Sequence, residues 1–466
     1  MKQIINRTLI ATLIVSLLSL PAGVTRAQGG ITDEEIREIL RDRIDVKKKS
    51  VGIVVGLVDD KGTRIISYGK PQQNSDQTVN GDSVFEIGSV TKVFTATLLA
   101  DMVERGEVGL SDPISKYLPK SVKTPTRNGK EITLLDLSSQ VSSLPRLPGN
   151  FVPKDVKNPY ADYSVEQMYA FLSNFTPTRD IGAKYEYSNF GVGLLGHILT
   201  LRAAKDYETL VCTRICELLK MDSTRIKLTP EMQAHLATGH NSALQPVPNW
   251  DIPTLAGAGA LRSTVNDMLK FVAVNLGLKK SPLLAPMRKT HQSQRETGMP
   301  DVEIGLGWHI LKKFNTLIVW HNGGTGGYHS FIGFDEKKRK GVVVLSNSAN
   351  DIDDIGRHLL ESQYPLAKLE APKERKAIKL DAKTLDAYVG DYQLAPNFVI
   401  TISREGDQLF GHATGQGKLE LFAKTEADYF SKLIDAQITF VKDNKGQVTH
   451  LVLHQNNVDQ PAKKIK

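Results

Sequence analysis

The chain has 466 residues, of which 40% are hydrophobic and 24% are charged, and its formal net charge is +8. A single hydrophobic core stops growing near about 250 to 300 residues, so this length predicts two folded units. The composition is that of a globular protein and excludes a disordered chain or one with many membrane spans. Basic residues are interspersed with acidic ones, so we expect no nucleic-acid partner.

The first 27 residues are typical of a secretory signal peptide. Lys2 and Arg7 precede an apolar run over residues 9–20, and a small-residue site ends at Ala27. We expect cleavage before Gln28, a periplasmic or secreted mature protein, and no stable membrane span after cleavage. The alternative is a membrane anchor, but the apolar run is shorter than the roughly 20 residues that a span requires.

The mature chain opens with a helix and a hairpin. Thr32 and Glu35 form a capping-box pattern, and apolar residues then recur at helical spacing as far as Ile44. Residues 51–58 and 65–68 flank a short charged turn that contains glycine, which predicts an antiparallel pair of strands.

A first candidate for chemistry lies at the start of the next predicted helix. Ser89 and Lys92 are three residues apart, so their side chains share one helix face. The positive helix end favours an oxyanion and is expected to lower the Lys92 pKa, so that the amine acts as a base for a Ser89 nucleophile. Val93, Thr97, Ala100 and Met102–Val103 are predicted to point to one side of this helix, with Gly106 ending it. A serine followed three residues later by a lysine also arises by chance in a chain of this length, so this pair alone does not establish a catalytic site.

A second candidate is the stretch Tyr187-Ser188-Asn189, which precedes a helical run over residues 192–199. Ser188 or Asn189 is suited to capping this helix. Tyr187 is predicted to move protons to a leaving group if cationic neighbours lower its pKa, and Asn189 to bind substrate. A surface turn with a packed tyrosine is the alternative.

Cys212 and Cys216 are the only cysteines. They are spaced as i and i+4 in an apolar-periodic stretch, where a disulfide within one helix is strained. We therefore expect free, buried thiols.

Three further strands are predicted over residues 317–321, 328–334 and 342–345, followed by a helix over 352–360. Mostly helical patterns lie between them and the first hairpin. An antiparallel sheet built from both ends of a domain, with flanking helices and a helical insertion, is an α+β arrangement.

The third candidate ends the strand at 317–321, where His321-Asn322-Gly323-Gly324 stands. The glycines allow a substrate backbone to approach the strand edge. The N–H groups of Gly324 and Ser89 are predicted to form an oxyanion hole, which acyl transfer requires. A glycine-rich hairpin with an incidental histidine is the alternative.

The rest of the chain changes character. Residues 367–384 are charged, lack apolar periodicity and are predicted to be a linker between a domain over 28–366 and a second one over 385–466. Short strands separated by turns make the second domain all-β, and they are predicted at 398–402, 408–412, 419–423, 438–441 and 448–453.

In the order S-x-x-K, Y-x-N and H-x-G, the three candidates resemble class C β-lactamases and penicillin-binding-protein-like serine hydrolases. The resemblance covers about residues 30–362, and the tail resembles a lipocalin-like β module. Supporting stretches are Phe85-Glu86-Ile87-Gly88-Ser89, Leu110-Ser111-Asp112-Pro113-Ile114, Tyr185-Glu186-Tyr187-Ser188-Asn189-Phe190-Gly191, Gly259-Ala260-Leu261-Arg262-Ser263-Thr264 and 323–334.

The resemblance implies a cleft between a sheet domain and a helical domain, and an acyl-enzyme route without metal or cofactor. It implies that Ser89 is acylated and that Lys92 and Tyr187 share the acid and base roles. Asn189, His321, Gly323 and Gly324 are then expected to bind substrate, with His321 in place of the lysine of the usual K-T-G motif.

Two departures from the family pattern stand out. An imidazole at His321 is only partly charged near neutrality, which weakens recognition of a substrate carboxylate. The usual H-T-S-G-L-P stretch reads Gln140-Val141-Ser142-Ser143-Leu144-Pro145, and the sequence offers no physical account of that change.

Three functions remain open from the sequence. The first is hydrolysis of β-lactams or related amides, and the second is cleavage of D-amino-acid peptides or small esters by the same residues. The third is a penicillin-binding sensor that is acylated without turnover.

Overall fold

The structure is a computed structural model and describes residues 31–371, 376–395, 398–414, 417–432, 434, 436–455 and 458–466. The predicted signal peptide, residues 1–27, lies outside the described residues. Within the described ranges, no helix is both long and apolar enough to cross a membrane.

Twelve short and long strands lie in the first part of the described chain. They are β1 Gly52–Asp59, β2 Gly62–Gly69, β3 Phe85–Glu86, β4 Thr126–Arg127, β5 Lys130–Glu131, β6 Arg262–Ser263, β7 Arg295–Glu296, β8 Val302–Ile304, β9 His309–Lys313, β10 Thr316–Gly324, β11 His329–Asp335 and β12 Lys340–Ser346.

Eight of these strands form one antiparallel sheet in the order β2-β1-β12-β11-β10-β9-β8-β7. The first hairpin therefore pairs directly with a strand almost 290 residues later, Val55 lying opposite Val344. This confirms the predicted sheet built from both ends of the domain.

The two faces of the sheet bury separate sets of apolar side chains. Ile53 and Val55 of β1 belong to one cluster, and Val54 and Val58 belong to the other. Neighbouring residues of a strand point to opposite faces, so a continuous apolar strand is covered on both sides.

Helices cover both faces. The first helix has the predicted capping box, since the Thr32 hydroxyl accepts from the Glu35 N–H and the Glu35 carboxylate accepts from the Thr32 N–H. It packs with the last helix of this part on one face, and the others cover the opposite face or form the helical region. The helices are α1 Asp33–Arg41, α2 Thr91–Glu104, α3 Leu134–Ser138, α4 Val165–Asn174, α5 Asn189–Ala203, α6 Tyr207–Val211, α7 Glu217–Leu219, α8 Pro230–Ala234, α9 Ala256–Gly259, α10 Val265–Asn275, α11 Leu284–Thr290 and α12 Asp353–Leu360.

Both cysteines lie in a π-helical turn, Cys212–Cys216, between α6 and α7. They are free thiols, and Cys216 is buried while Cys212 is half-buried. The expectation of buried thiols is thus met fully at Cys216 and in part at Cys212.

The C-terminal part is a closed antiparallel barrel of eight strands. A short helix, α13 Ala382–Asp386, precedes it, so its first residues fall within the segment predicted as linker. Five strands were predicted, and the barrel has three more. The sequence patterns did not reveal these three because one has only three residues and the other two are largely polar, one of them with a proline. The barrel strands are β13 Gly390–Ala395, β14 Phe398–Glu405, β15 Gln408–Ala413, β16 Lys418–Ala423, β17 Asp428–Phe430, β18 Ala436–Lys442, β19 Val448–Gln455 and β20 Val458–Lys464.

We expect a chain that ends at residue 370 to fold and to keep its activity toward small esters. The apolar residues of the barrel form a cluster of their own, separate from both clusters of the sheet domain. Independent cores joined by a charged segment usually fold independently. Melting temperature should stay within about 5 °C of that of the full chain, and an insoluble or inert shortened chain would show that the two-module division is wrong.

Candidate active site

Ser89 lies in a single 3-10 turn, Gly88–Val90, that leads directly into α2. Gly88 has a φ of +47°, and a Cβ there would lie 2.9 Å from the backbone of Gly324. Only glycine suits that position. The turn thus brings the backbone N–H of Ser89 against the end of β10.

The prediction of a one-sided α2 is wrong. Val93, Thr97, Ala100 and Met102 are buried, but so are nearly all other residues of the helix. The helix lies in the interior of the domain, in contact with α5, α9 and α11, and an interior helix is apolar on every face.

Lys92 occupies the centre of the site and is completely buried. Its Nζ lies 2.9 Å from Ser89 Oγ, 2.9 Å from Asn189 Oδ1 and 2.7 Å from the carbonyl oxygen of Ala258. A neutral amine has two N–H groups and one lone pair. It can therefore donate to the two carbonyl-type oxygens and accept the proton of the Ser89 hydroxyl.

The pKa of Lys92 is lowered well below its ordinary value, first by burial and then by the charge of Arg146. The pKa of Lys92 is therefore lowered, as predicted. The cause is burial together with the charge of Arg146, and not the positive helix end that was expected. Burial removes the water that would stabilise an ammonium ion.

Tyr187 precedes α5, and its loop is fixed by the helix cap. Ser188 is the N-cap residue, and its hydroxyl accepts from the Gly191 N–H at 2.8 Å. The Tyr187 ring centroid is 4.9 Å from the Lys92 amine and 5.1 Å from the Arg146 guanidinium.

The pKa of Tyr187 is raised to about 12, chiefly by burial, although a hydrogen bond with Ser89 and the charge of Arg146 lower it. The expectation of a lowered pKa is therefore wrong, because the Ser89 hydrogen bond and the Arg146 charge do not offset the loss of water around a phenolate. Tyr187 holds a proton at neutral pH and is equipped to donate it.

Asn189 joins Lys92 to the wall of the cleft. Its Oδ1 accepts from Lys92, and its Nδ2 donates to the Tyr160 hydroxyl at 3.3 Å. The Tyr160 ring lies 5.5 Å from that of Trp250. Sequence reasoning missed both aromatic residues, since nothing in their neighbourhoods marks them and the fold alone brings them to Asn189.

The end of β10 supplies the opposite wall. A Cβ on Gly323 would lie 2.9 Å from the Ser89 nitrogen and 2.1 Å from the Ile87 oxygen, so a side chain there would collide with backbone. Ser330 supports the contact by donating to the Ile87 oxygen at 2.8 Å. The backbone of Gly324 therefore faces the same cleft as Ser89, as an oxyanion hole requires.

His321 is buried and neutral. Its pKa is lowered well below the ordinary value by burial and by the nearby His309 and Lys92. His309 lies beside it at 5.1 Å between ring centroids, and its Nε2 is 3.0 Å from the Tyr185 hydroxyl. The partly charged imidazole expected from the sequence is thus replaced by an uncharged one.

Gln140 gives the altered H-T-S-G-L-P stretch a physical role. Its side-chain oxygen accepts from the Ser188 N–H at 2.7 Å, and its backbone oxygen accepts from the Glu186 N–H at 2.8 Å. Gln140 therefore binds both residues next to Tyr187, Glu186 and Ser188. At Ser143, φ is +64°, a conformation that glycine adopts more easily.

The cleft itself is lined mostly by backbone, amide and aromatic groups. Its lining includes Ser89, Asn189, Gly324 and Thr325, together with Tyr160 and Trp250.

Of the described residues, His329, Asp351 and Asp353 could offer a metal three ligand atoms within 4.8 Å of one another. Asp353 already accepts from Asn322 at 2.6 Å and lies 3.1 Å from His329. The Asp353 carboxylate therefore already has partners in Asn322 and His329. None of these groups has a role in the chemistry of Ser89.

The pH dependence of kcat/KM should reflect the lowered pKa of Lys92 and the raised pKa of Tyr187. We expect the rate for an uncharged ester to rise with pH as Lys92 loses its proton and to level off well below pH 10.5, the ordinary lysine pKa. The rate should then stay flat to pH 10, because Tyr187 keeps its proton until about pH 12. After correction for spontaneous hydrolysis, a rate still climbing tenfold per pH unit at pH 10 would contradict a neutral Lys92.

The fold and this cleft define an active-site serine hydrolase of the β-lactamase and penicillin-binding-protein class. The Beta-lactamase family model matches residues 34–362, and residues 374–465 match a domain of unknown function, DUF3471. The chain belongs to the Beta-lactamase family.

Three relatives share between 23% and 28% of their aligned residues with this chain. The D-alanyl-D-alanine-carboxypeptidase/endopeptidase AmpH of Escherichia coli K12 is 28% identical over 361 residues, covering 73% of this chain and 91% of AmpH. A Beta-lactamase of Pseudomonas fluorescens is 27% identical, covering 67% and 94% of the two chains. The Beta-lactamase/D-alanine carboxypeptidase of Yersinia pestis, solved with citrate, shares the fold with a TM-score of 0.62 at 23% identity, covering 71% and 97%.

Proposed function

We propose that this protein is an exported serine hydrolase that cleaves β-lactam and related amide bonds through an acyl-enzyme on Ser89. The observation that carries the proposal is the Lys92 amine, which is buried and lies 2.9 Å from Ser89 Oγ with two acceptors beside it. A buried neutral amine at that distance makes Ser89 a nucleophile.

In the first half of the reaction, Lys92 accepts the Ser89 proton while Oγ bonds to the substrate carbonyl carbon. The N–H groups of Ser89 and Gly324 stabilise the oxyanion. Tyr187 donates its proton to the leaving nitrogen as the C–N bond breaks, and Lys92 returns a proton to the phenolate. Asn189 orients the substrate amide.

In the second half, water replaces the leaving group. A base removes one proton from the water as its oxygen bonds to the acyl carbon, and Ser89 leaves with a proton. Lys92 and Tyr187 are the described groups beside Ser89 that can carry out these transfers.

The second candidate is a peptidase that acts on D-alanyl peptides with the same residues. The AmpH relative, named as a carboxypeptidase and endopeptidase, favours it. The two activities differ only in the leaving group and in how long the acyl-enzyme lives.

A substrate panel on the purified chain without residues 1–27 tests the proposal. It contains nitrocefin, a D-Ala-D-Ala peptide, a D-amino-acid amide and a p-nitrophenyl ester, with the Ser89→Ala protein as the blank. We expect Ser89-dependent turnover of nitrocefin. Turnover of the peptide alone would favour the second candidate, and persistent labelling by penicillin without turnover of any substrate would favour a sensor.

Export is part of the proposal. It is supported by the signal-like pattern of residues 1–27. The mass of the protein recovered from the periplasm or the medium should correspond to a chain that begins at Gln28, and an uncleaved chain in the cytoplasm would contradict export.

A further inference from the structure

The strand position that usually presents a lysine offers no cation in this protein. His321 Nδ1 lies 2.5 Å from the Asn322 oxygen. A carbonyl oxygen only accepts, so Nδ1 carries the proton and Nε2 keeps a lone pair. A substrate carboxylate placed beside His321 would meet an acceptor, and two acceptors repel each other.

An unpaired cation lies elsewhere in the site. The Arg146 side chain is exposed, and its guanidinium is 5.1 Å from the centroid of the Tyr187 ring. Within the described ranges, no acidic side chain forms an ion pair with it and its guanidinium has no hydrogen-bond partner. Its five N–H donors therefore stay free for a ligand, and they match the geometry of a carboxylate.

The backbone beside Arg146 is tied to the catalytic loop. The Phe190 N–H donates to the Arg146 oxygen at 3.1 Å, and the Ser188 hydroxyl donates to the Pro145 oxygen at 2.6 Å. The backbone of Arg146 is thus anchored to the segment that carries Tyr187 and Asn189. The side chain therefore extends toward the Tyr187 ring from a fixed point.

The position of Arg146 also indicates which part of a substrate it would meet. The pocket beside Ser89 is lined by Asn189 with the rings of Tyr160 and Trp250, all uncharged. Tyr187, in contrast, is the proposed proton donor to the leaving group, and Arg146 lies against its ring. A carboxylate on the leaving group is therefore the substrate feature within reach of the guanidinium.

We propose that Arg146 binds a carboxylate on the leaving group and so takes over the recognition that the strand lysine provides in other members of the family. This inference rests on the proposed function of the Ser89 site. It assigns the protein a preference for amides and esters whose leaving group carries a carboxylate, such as a C-terminal D-amino acid.

A matched pair of esters tests the inference without requiring amide cleavage. Both have the same N-acylglycyl group, and the leaving group is phenol in one and 3-hydroxybenzoate in the other. Arg146→Gln should lower kcat/KM about 10- to 100-fold for the carboxylated ester, the range expected for lost charged hydrogen bonds, mainly through KM. The neutral ester should change less than about threefold.

Two further variants sharpen the comparison. Arg146→Lys keeps the charge but loses the paired donors, so it should give an intermediate loss. Arg37→Gln, on α1, removes one positive charge elsewhere and should leave the ratio of the two rates unchanged. The ratio is the decisive quantity, because an effect of Arg146 on Lys92 or Tyr187 changes both rates equally.

Equal losses for the two esters would overturn the inference while leaving the proposed function intact. A loss confined to an ester with its carboxylate on the acyl side, phenyl monosuccinate, would overturn the assignment to the leaving group. If the unaltered protein hydrolyses none of the three esters, the proposed function fails, and this inference fails with it.

Discussion

Replacement of Ser89 by alanine is expected to lower kcat by about 10⁴-fold or more for every substrate that the protein accepts. All the candidate reactions pass through one acyl-enzyme, and alanine removes the only oxygen that can form it. Lys92 then lacks the hydroxyl that lies 2.9 Å from its amine. The measurement is steady-state hydrolysis of an ester and an amide by the purified variant.

The control for this result is a serine on the outer part of a helix. Ser173→Ala on α4 should retain full activity, because in the described part of the chain the Ser173 hydroxyl forms one hydrogen bond, which it accepts from the Lys123 N–H. Melting temperatures of both variants should match that of the unaltered protein within a few degrees. A folded Ser89→Ala protein with rates within tenfold of normal would rule out Ser89 as the nucleophile.

Replacement of Lys92 should cost about 10²- to 10⁴-fold in kcat/KM, the range for loss of a general base. Two variants separate a base from a simple cation. Lys92→Met keeps the length of the side chain without an amine, and Lys92→Arg keeps a charge that cannot be lost near neutral pH. If Lys92 acts as the base, both variants show this loss.

An active Lys92→Arg protein would show that position 92 supplies charge and that the base lies elsewhere. Lys279→Met, at an exposed position, should behave like the unaltered protein. Because arginine is larger than lysine and the site is fully buried, melting temperature and near-UV circular dichroism must confirm that each variant is folded.

Local pattern and spacing predicted much of the fold. Period-2 and period-3.6 patterns located the first hairpin, α1 and strands β10, β11 and β12, and the Thr32 capping box is present as expected. Strands β7, β8 and β9 at the edge of the sheet were not predicted. The barrel was only partly predicted, since β17 has three residues and β20 contains Pro461. Such strands acquire their pairing from neighbours in the closed barrel.

The candidate site was predicted as a set of residues, whereas its electrostatics were not. Spacing placed Ser89 and Lys92 together, but only the fold shows that Lys92 is buried, which changes the cause of its lowered pKa. The same burial raises the pKa of Tyr187. Burial depends on contacts between distant segments, such as Lys92 with Ala258, and no local pattern encodes it.

Gln140 and Arg146 illustrate a second limit. Gln140 begins the stretch that departs from the family pattern, and Arg146 directly follows it. No physical account of that departure follows from the sequence alone. The hydrogen bonds of Gln140 to the loop that carries Tyr187, and the position of Arg146 beside the Tyr187 ring, exist only in three dimensions.

The most direct test of the acyl-enzyme is intact-protein mass spectrometry during a single turnover with a penicillin and with an ester. We expect a transient mass increase equal to the acyl group, located on the peptide that contains Ser89 and absent from Ser89→Ala. With the penicillin, the increase should decay as product forms. Hydrolysis that proceeds with no adduct on Ser89, or at the same rate in Ser89→Ala, would contradict the account.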